Sequence, residues 1–525
     1  MRSAALAAAI AAAALAPAPR QPDPFVPMAV EYTADPRTSP STVADDLRLI
    51  RAFGFNTVAA VVRWSDAEPA PGTFALAALE RTLEAAQQAG LRVQVTLDDT
   101  PPGWLFDRFP DGRRVTANAG AAPRPENAAC VDHPGVRAAL QRFLDAASRA
   151  VARSPAVLEI AAATAPPSGF CLCPHTARRF DASIKESGVD RDKFVRLSLR
   201  DELRWMIAQT APSYARVVAS RGRVPTILQR ASDAYPAQDD WMMSKVVDRY
   251  GVALAERPPE PSALAMAFDE LAAAAGDRGW ALHTRAPVRS DDLRFLTWLA
   301  FARGARTASF DDVPADATFV SVVARNPGLF SELRRVPATL AILYDPESAA
   351  AEVQATSAYA ALFARNIAAD LLHAGELSIA AAARYRALVA PSALATAPTY
   401  AATLKELALT RVVIEAGERS PLDDAAFASL AKAGVVPEAR VSGGEGLVET
   451  RFLESAQVLM LIALNHGLRP ARVTFTFRPE TQEAIWQNLE TGSGVNFIAG
   501  PDGPAYSYFF RPRDALVLII RKDIK

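Results

Sequence analysis

Apolar residues at 47, 49, 50 and 53 recur at helical spacing within residues 45–53, and Gly54 follows, which predicts a helix with one apolar face formed by Leu47, Leu49, Ile50 and Phe53. Residues 57–62 then run β-branched side chains and alanines without a charge, the composition of a parallel strand covered on both faces. The same alternation repeats along the chain. Residues 25–32 read as a preceding strand, 75–90 as an amphipathic helix, 92–97 as a third strand, 136–152 as a helix and 157–164 as a fourth strand. Beyond a helical stretch at 190–221, weaker strand signals fall at 225–229 and 246–254 and stronger ones at 280–284 and 304–310, with a helix over 293–303 between the last two. Strands alternating with helices over about 310 residues predict a (β/α)₈ TIM barrel with insertions, occupying residues 24–335.

The pattern then changes twice. Residues 338–344, 385–391 and 411–414 read as buried strands and 356–374 as a helix, which predicts a small doubly wound α/β domain over 336–440. The glycine-rich residues 441–446 read as a linker. From residue 448 onward only short strands are predicted, at 458–464, 471–477, 483–489 and 515–520, the spacing of a terminal β-sandwich over 446–525.

Composition narrows the function. The 525 residues are half hydrophobic, enough for several cores, and the net charge of -1 leaves no basic footprint for nucleic acid. Arg2, an apolar run over residues 4–15 and the A-x-A site at Ala14 to Ala16 read as a signal peptide over residues 1–20. The run is short for a membrane span, so the expected location is periplasmic or secreted, with a membrane anchor as the alternative. Three cysteines is an odd number, so at least one stands outside any internal disulfide. Residues 100–134 form a loop longer than an ordinary βα connection, and such loops usually carry function.

A family resemblance rests on particular motifs. A helix, Gly54-Phe-Asn56, a strand, Trp64-Ser65, Glu68-Pro69 and Gly72-Thr-Phe74 resemble the first βα units of the glycoside hydrolase family 42 β-galactosidases. Thr100-Pro-Pro-Gly-Trp-Leu105, Pro110-Asp-Gly112 and Cys130-Val-Asp-His-Pro134 continue the resemblance in the family's order. The resemblance implies a TIM barrel, a flavodoxin-like middle domain that mediates trimers, and a terminal β-sandwich.

The same resemblance locates the chemistry. Retaining glycosidases use two carboxylates roughly 5–5.5 Å apart, one as acid and base and one as nucleophile. The family's acid/base glutamate, in an Asn-Glu pair ending strand four, falls at Thr164-Ala165, with Ala165 in the acid's place. The nucleophile position falls near His283, in Trp280-Ala-Leu-His-Thr-Arg285, and no Asp or Glu lies between Asp277 and Asp291. Glu159 is the nearest acid to the first position, but it starts its strand, roughly 16 Å from the catalytic end. The expectation is therefore an exported protein that binds a β-galactoside or related glycan at the barrel mouth without retaining hydrolysis. The alternative is an active glycoside hydrolase that uses relocated carboxylates, drawn from the Asp98-Asp99 and Asp311-Asp312 pairs.

Residues expected to line that mouth are Trp64, Asp98, Asp99, Trp104, Arg124, Gln229, His283, Arg285, Asp311 and Asp312, since sugar faces stack on rings and hydroxyls bond acids and amides. Trp64 and Trp104 read equally as core aromatics, and Glu68 reads as a residue that fixes its own loop. The resemblance also implies a structural zinc site of four cysteines. Cys130, Cys171 and Cys173 match three of them, Thr176 occupies the fourth position, and His175 is the candidate to complete a tetrahedron. A disulfide from Cys130 to one of the pair, or free thiols, are the other readings.

Overall fold

The computed structural model describes residues 24–33, 35–116, 124–162, 171–187, 226–231, 240–245, 247–255, 260–285, 288–417, 422–444, 447–477 and 486–522. Its first unit is a closed barrel of eight parallel strands. They are β1 (Met28–Tyr32), β2 (Thr57–Arg63), β3 (Arg92–Asp98), β4 (Val157–Ala162), β5 (Thr226–Ala231), β6 (Arg249–Leu254), β7 (Trp280–Thr284) and β8 (Ala305–Phe310). Each strand pairs with its neighbour in sequence, and β8 closes on β1.

Local chemistry explains the first helix. α1 (Pro40–Ala52) starts where the Ser39 hydroxyl accepts a bond from the Thr42 amide and Pro40 supplies a preset first turn. Its buried face is Val43, Leu47 and Ile50, whereas Leu49 and Phe53 are exposed, so the predicted face is corrected. At 100° per residue, Leu49 stands almost opposite Leu47 and cannot share its face. Gly54 then takes a φ of 98°, and a Cβ there would sit 1.9 Å from the Ser321 Oγ, so this turn admits only glycine.

Strand alternation sorts the barrel interior into layers. Near the amino-terminal ends, Arg249 Nη1 reaches both Glu159 oxygens at 3.3 and 3.1 Å and donates to the Thr307 Oγ1 at 2.6 Å. Burial pushes the Glu159 carboxyl above its ordinary range and Arg249 pulls it back. Two residues along β4 and β6 the side chains are small, Ala161 and Gly251, with Ala281 of β7 beside them, and a Cβ on Gly251 would lie 2.1 Å from the Ala281 carbonyl oxygen. Ala281 of β7 and Thr307 of β8 are in register, and two residues beyond them come His283 and Ser309, followed after β8 by Asp311 at the polar top of the barrel.

The middle unit is a four-stranded parallel sheet of β9 (Leu340–Tyr344), β10 (Asp370–His373), β11 (Ala387–Pro391) and β12 (Val412–Ala416), in the order β10-β9-β11-β12. The helix expected over 356–374 is instead a helix, Ala349–Phe363, followed by β10. Asn366 at a φ of 55° ends the helix, and the Ile367 amide turns back to the Leu362 carbonyl. The sheet packs on a barrel helix, Pro261–Ala275, through Ala265 and Met266.

Two sheets form the last unit. The larger has the order Arg334–Arg335, Val448–Glu454, Val458–Asn465, Asp514–Arg521, Trp486–Asn488, Gly494–Val495, and the smaller contains Arg440–Ser442, Ala471–Thr476 and Ala505–Phe510. The expected linker thus begins inside a strand, because Arg440–Ser442 pairs antiparallel with Ala471–Thr476. One face of the larger sheet, with Met460, Ile462, Leu464 and Val517, shares a core with barrel residues Phe295, Leu296 and Trp298. No helix among the described residues is long and apolar enough to cross a membrane.

Candidate active site at the barrel mouth

Register brings the site together. On β7 and β8, His283 lies beside Ser309 and Thr284 beside Phe310, while Val30 of β1 lies beside Phe310 on the other side. Glu31 and Asp311, each one residue further on, therefore meet across the β1–β8 seam, one turn of the pleat above His283. The His283 Nδ1 lies 2.7 Å from the Ser309 Oγ and its Nε2 lies 3.0 Å from the Asp311 Oδ1. Donor atoms of Glu31, His283 and Asp311 all fall within 4.8 Å of one another.

Electrostatics follow from this closeness. Burial, then the charge of Asp311 and a hydrogen bond to it, pushes the Glu31 carboxyl up to about 7, although Arg285 and Arg63 pull it down. The two carboxyls in this contact titrate as a pair. Such a pair is closer than the roughly 5–5.5 Å that separates an acid from a nucleophile in retaining glycosidases.

Glu31 was absent from the expected residues, yet β1 carries a signal. In Met-Ala-Val-Glu-Tyr the glutamate takes an alternate position of a strand whose other residues are apolar or aromatic, and at the carboxyl end of a barrel strand such a residue points to the mouth.

The other expected residues divide. Asp98 ends β3, where its Oδ1 accepts the Thr100 amide and hydroxyl at 2.9 and 2.7 Å and its Oδ2 lies 3.9 Å from the Arg63 Nε, so one oxygen shapes the turn. Asp99 is half-buried beside it and Asp312 is exposed beyond Asp311. Arg285 is half-buried, with its amide bonded to the Leu254 carbonyl. Arg124 is exposed on a hairpin strand, Arg124–Ala129, paired with Arg113–Thr116. Gln229 lies on β5. Thr164 and Ala165 lie outside the described residues.

Trp64 is corrected as a stacking platform. It is fully buried, lies flat on Phe143 at 5.9 Å, and donates its Nε1–H to the Glu68 Oε2 at 2.6 Å. Glu68, also fully buried, accepts the Gly72 amide at 2.7 Å through its other oxygen, which fixes the loop after β2. Trp104 is half-buried, edge-on to Trp64, and donates to the Glu68 carbonyl at 2.8 Å. One indole face lies against Phe143 and complete burial closes the other to a sugar.

The cysteines form a second cluster. The Cys130 Sγ lies 3.4 Å from Cys173 and 3.7 Å from Cys171, close to the S···S spacing of about 3.8 Å that tetrahedral zinc–thiolate bonds require. Backbone amides of Val115 and Thr176 donate to Cys171 and Cys173. A hydrogen bond from Cys130 draws the Cys171 thiol down to about 5. The Thr176 Oγ1 stands 3.4 Å from both Cys130 and Cys173 and donates to the Asp132 Oδ2 at 2.7 Å. His175 is not brought to the thiols: its Nε2 meets the Asp111 Oδ2 at 2.9 Å and its Nδ1 meets Arg178. The expected fourth ligand His175 is thus corrected: the three thiols have a threonine hydroxyl beside them, a weaker zinc ligand than imidazole.

Comparison with known proteins places this geometry. Residues 33–188 match the family model described as Beta-galactosidase, Glyco_hydro_42. A β-galactosidase from Bacillus circulans sp. alkalophilus superposes with a TM-score of 0.74 at 14% identity, covering 95% of this chain and 99% of that one. An exo-carrageenase from Bacteroides ovatus gives 0.64 at 11% identity, covering 99% of this chain and 88% of that one. An α-L-fucosidase isoenzyme from Paenibacillus thiaminolyticus gives 0.60 at 10% identity, covering 94% and 99%. No curated protein sequence matches the chain.

Proposed function

On the premise that the chain is glycoside hydrolase family 42-like, in sequence over residues 33–188 and in fold across its described length, we propose that it binds carbohydrate at the barrel mouth without the family's double displacement. The observation that carries this reading is His283. It occupies the neighbourhood where the family resemblance puts the nucleophile, and it is tied to Ser309 on one side and Asp311 on the other. A buried imidazole does not form the glycosyl ester that a retaining carboxylate forms. Carboxyls, an imidazole and guanidiniums at the strand ends offer both acceptors and donors to sugar hydroxyls. A β-galactoside or related glycan is the ligand class, in keeping with the β-galactosidase and the exo-carrageenase that share the fold.

One observation favours a second reading, an active glycosidase with relocated acids. Glu31, whose carboxyl stays protonated up to about 7, has the property of a general acid at neutral pH. Assay of the purified protein on an aryl β-galactoside panel, beside Glu31→Gln and Asp311→Asn, separates the two. Absent turnover with measurable galactan binding supports the first; turnover that disappears in either variant supports the second. A protein that neither cleaves nor binds these glycans contradicts both.

The wider reading is of an exported protein, supported by the pattern of residues 1–20, with a structural zinc on Cys130, Cys171 and Cys173 beside Thr176 and a homotrimer built through the middle domain. Mass spectrometry of the amino terminus, metal analysis and light scattering on the purified protein test these three points.

A further inference from the structure

Two clusters of the barrel domain bring histidine and carboxylate together outside the thiols, and they differ in how their imidazoles are held. At Asp111, both rings are closed to a metal ion. The His133 Nδ1 accepts the Gly135 and Val136 amides at 3.1 and 3.2 Å, so in the neutral ring the proton sits on Nε2 and is donated to Asp111. The His175 Nδ1 accepts from Arg178 and its Nε2 faces the other Asp111 oxygen in the same way. Asp111 is a carboxylate clasped by two N–H donors.

At His283 the opposite polarity is open, because the group beside Nδ1 is a hydroxyl rather than a backbone amide. Its Nδ1 meets the Ser309 hydroxyl, which can accept the ring proton while passing its own hydrogen toward the Leu282 carbonyl at 3.4 Å. With the ring proton on Nδ1, the Nε2 lone pair faces the Asp311 Oδ1 at 3.0 Å, a spacing that two ligands of one ion also keep, with a Glu31 oxygen within 4.8 Å. The His283 side chain is only 8% exposed, so its orientation is set by packing and by Ser309 rather than by solvent. An imidazole whose far nitrogen is anchored in this way is how proteins present a histidine to a metal ion.

We propose that Glu31, His283 and Asp311 form a divalent transition-metal site at the barrel mouth, with Ser309 as the positioning residue. β1 and β7 supply Glu31 and His283, Asp311 follows directly on the end of β8 between them, and strand register sets the three side by side. Arg63 and Arg285 oppose the ion, but Arg63 is drawn toward Asp66 and Asp98, at 4.0 and 3.9 Å. The imidazole selects a first-row ion such as zinc over calcium or magnesium, which prefer all-oxygen sets. Three protein ligands leave a coordination position that faces the cleft, open to water or to a hydroxyl of a bound molecule. The site does not depend on the glycan reading, because its ligands are complete without a sugar.

The test is cobalt titration of the metal-free full-length protein, read by visible absorption. Thiolate sites give intense near-ultraviolet charge-transfer bands, whereas a nitrogen and oxygen site gives only weak visible bands. Cys130→Ala/Cys171→Ala/Cys173→Ala is expected to show the second signature at one equivalent, wild type to show it in addition to the thiolate bands, and His283→Gln and Asp311→Asn made in the triple-alanine background to lose it. Ser309→Ala is expected to weaken cobalt about 10–100-fold while keeping the band shape, the mark of a positioning role. Circular dichroism on each variant separates loss of the site from loss of the fold. A wild-type spectrum carrying thiolate bands alone, or a folded His283→Gln that binds cobalt as its triple-alanine parent does, overturns the proposal, whatever the protein does with galactans.

Discussion

At the scale of single residues, burial decides which polar and aromatic side chains of the mouth are available to a ligand. Trp64 and Glu68 form one closed unit, indole to carboxylate to the Gly72 amide, beneath the surface of the cleft. Trp64→Ala is expected to cost about 3–5 kcal/mol of stability, measured by denaturant unfolding, by the scale of large-to-small changes in packed cores. A loss below about 1 kcal/mol, the scale of a surface substitution, would show that the ring is not part of the core. Glu31, His283 and Asp311 behave differently, since their polar atoms face one another at the open end of the strands.

At the scale of elements, the barrel strands were legible because each is short, apolar and bounded by turns, and β7 (Trp280–Thr284) coincides with its expectation. Their inward faces were harder to read. Glu31, His283 and Asp311 lie far apart in sequence, and only parallel register across the β7–β8–β1 seam makes them neighbours. The expected list therefore held His283 and Asp311 without the acid that joins them. β10 was hidden for a different reason: Asp370–His373 follows an alanine-rich helix with no glycine or proline between, and the break depends on Asn366 adopting a positive φ. The interior layering also makes a prediction. Gly251→Ala puts a methyl group against the Ala281 carbonyl and should destabilise the barrel by about 1–3 kcal/mol, seen as a lower unfolding midpoint with no change in the isolated thiol chemistry. An unchanged midpoint would mean that β6 and β7 can separate to admit it.

At the scale of the whole molecule, the three units meet at one buried ionic junction. Arg303 of the barrel, fully buried, bonds Glu449 of the last unit and lies 3.4 Å from Asp269, which accepts the Tyr359 hydroxyl of the middle unit at 2.5 Å. Arg451 and His466 complete the partners of Glu449, each at 2.9 Å. Burial raises the Glu449 carboxyl, but Arg303, Arg451 and His466 outweigh it and hold the group well below the usual carboxylate range. A carboxyl depressed in the folded state contributes stability that is present above its unfolded value of about 4.3 and is lost as the pH falls through the folded one. Glu449→Gln is expected to cost about 3–5 kcal/mol at neutral pH, because Arg303 is left buried beside a neutral partner, and to flatten the acid limb of the stability profile. Thermal unfolding from neutral to acid pH checks both; an unaltered acid limb would place the pH dependence elsewhere.

Under the proposed function, the barrel mouth binds a glycan and leaves it intact. Calorimetric titration of β-1,4-galactotetraose into the purified protein, followed by chromatography of the cell contents, tests it most directly. Saturable heat with the oligosaccharide recovered whole, and weakened binding in Asp311→Asn, is the predicted result. Galactose released in proportion to protein and time would contradict it.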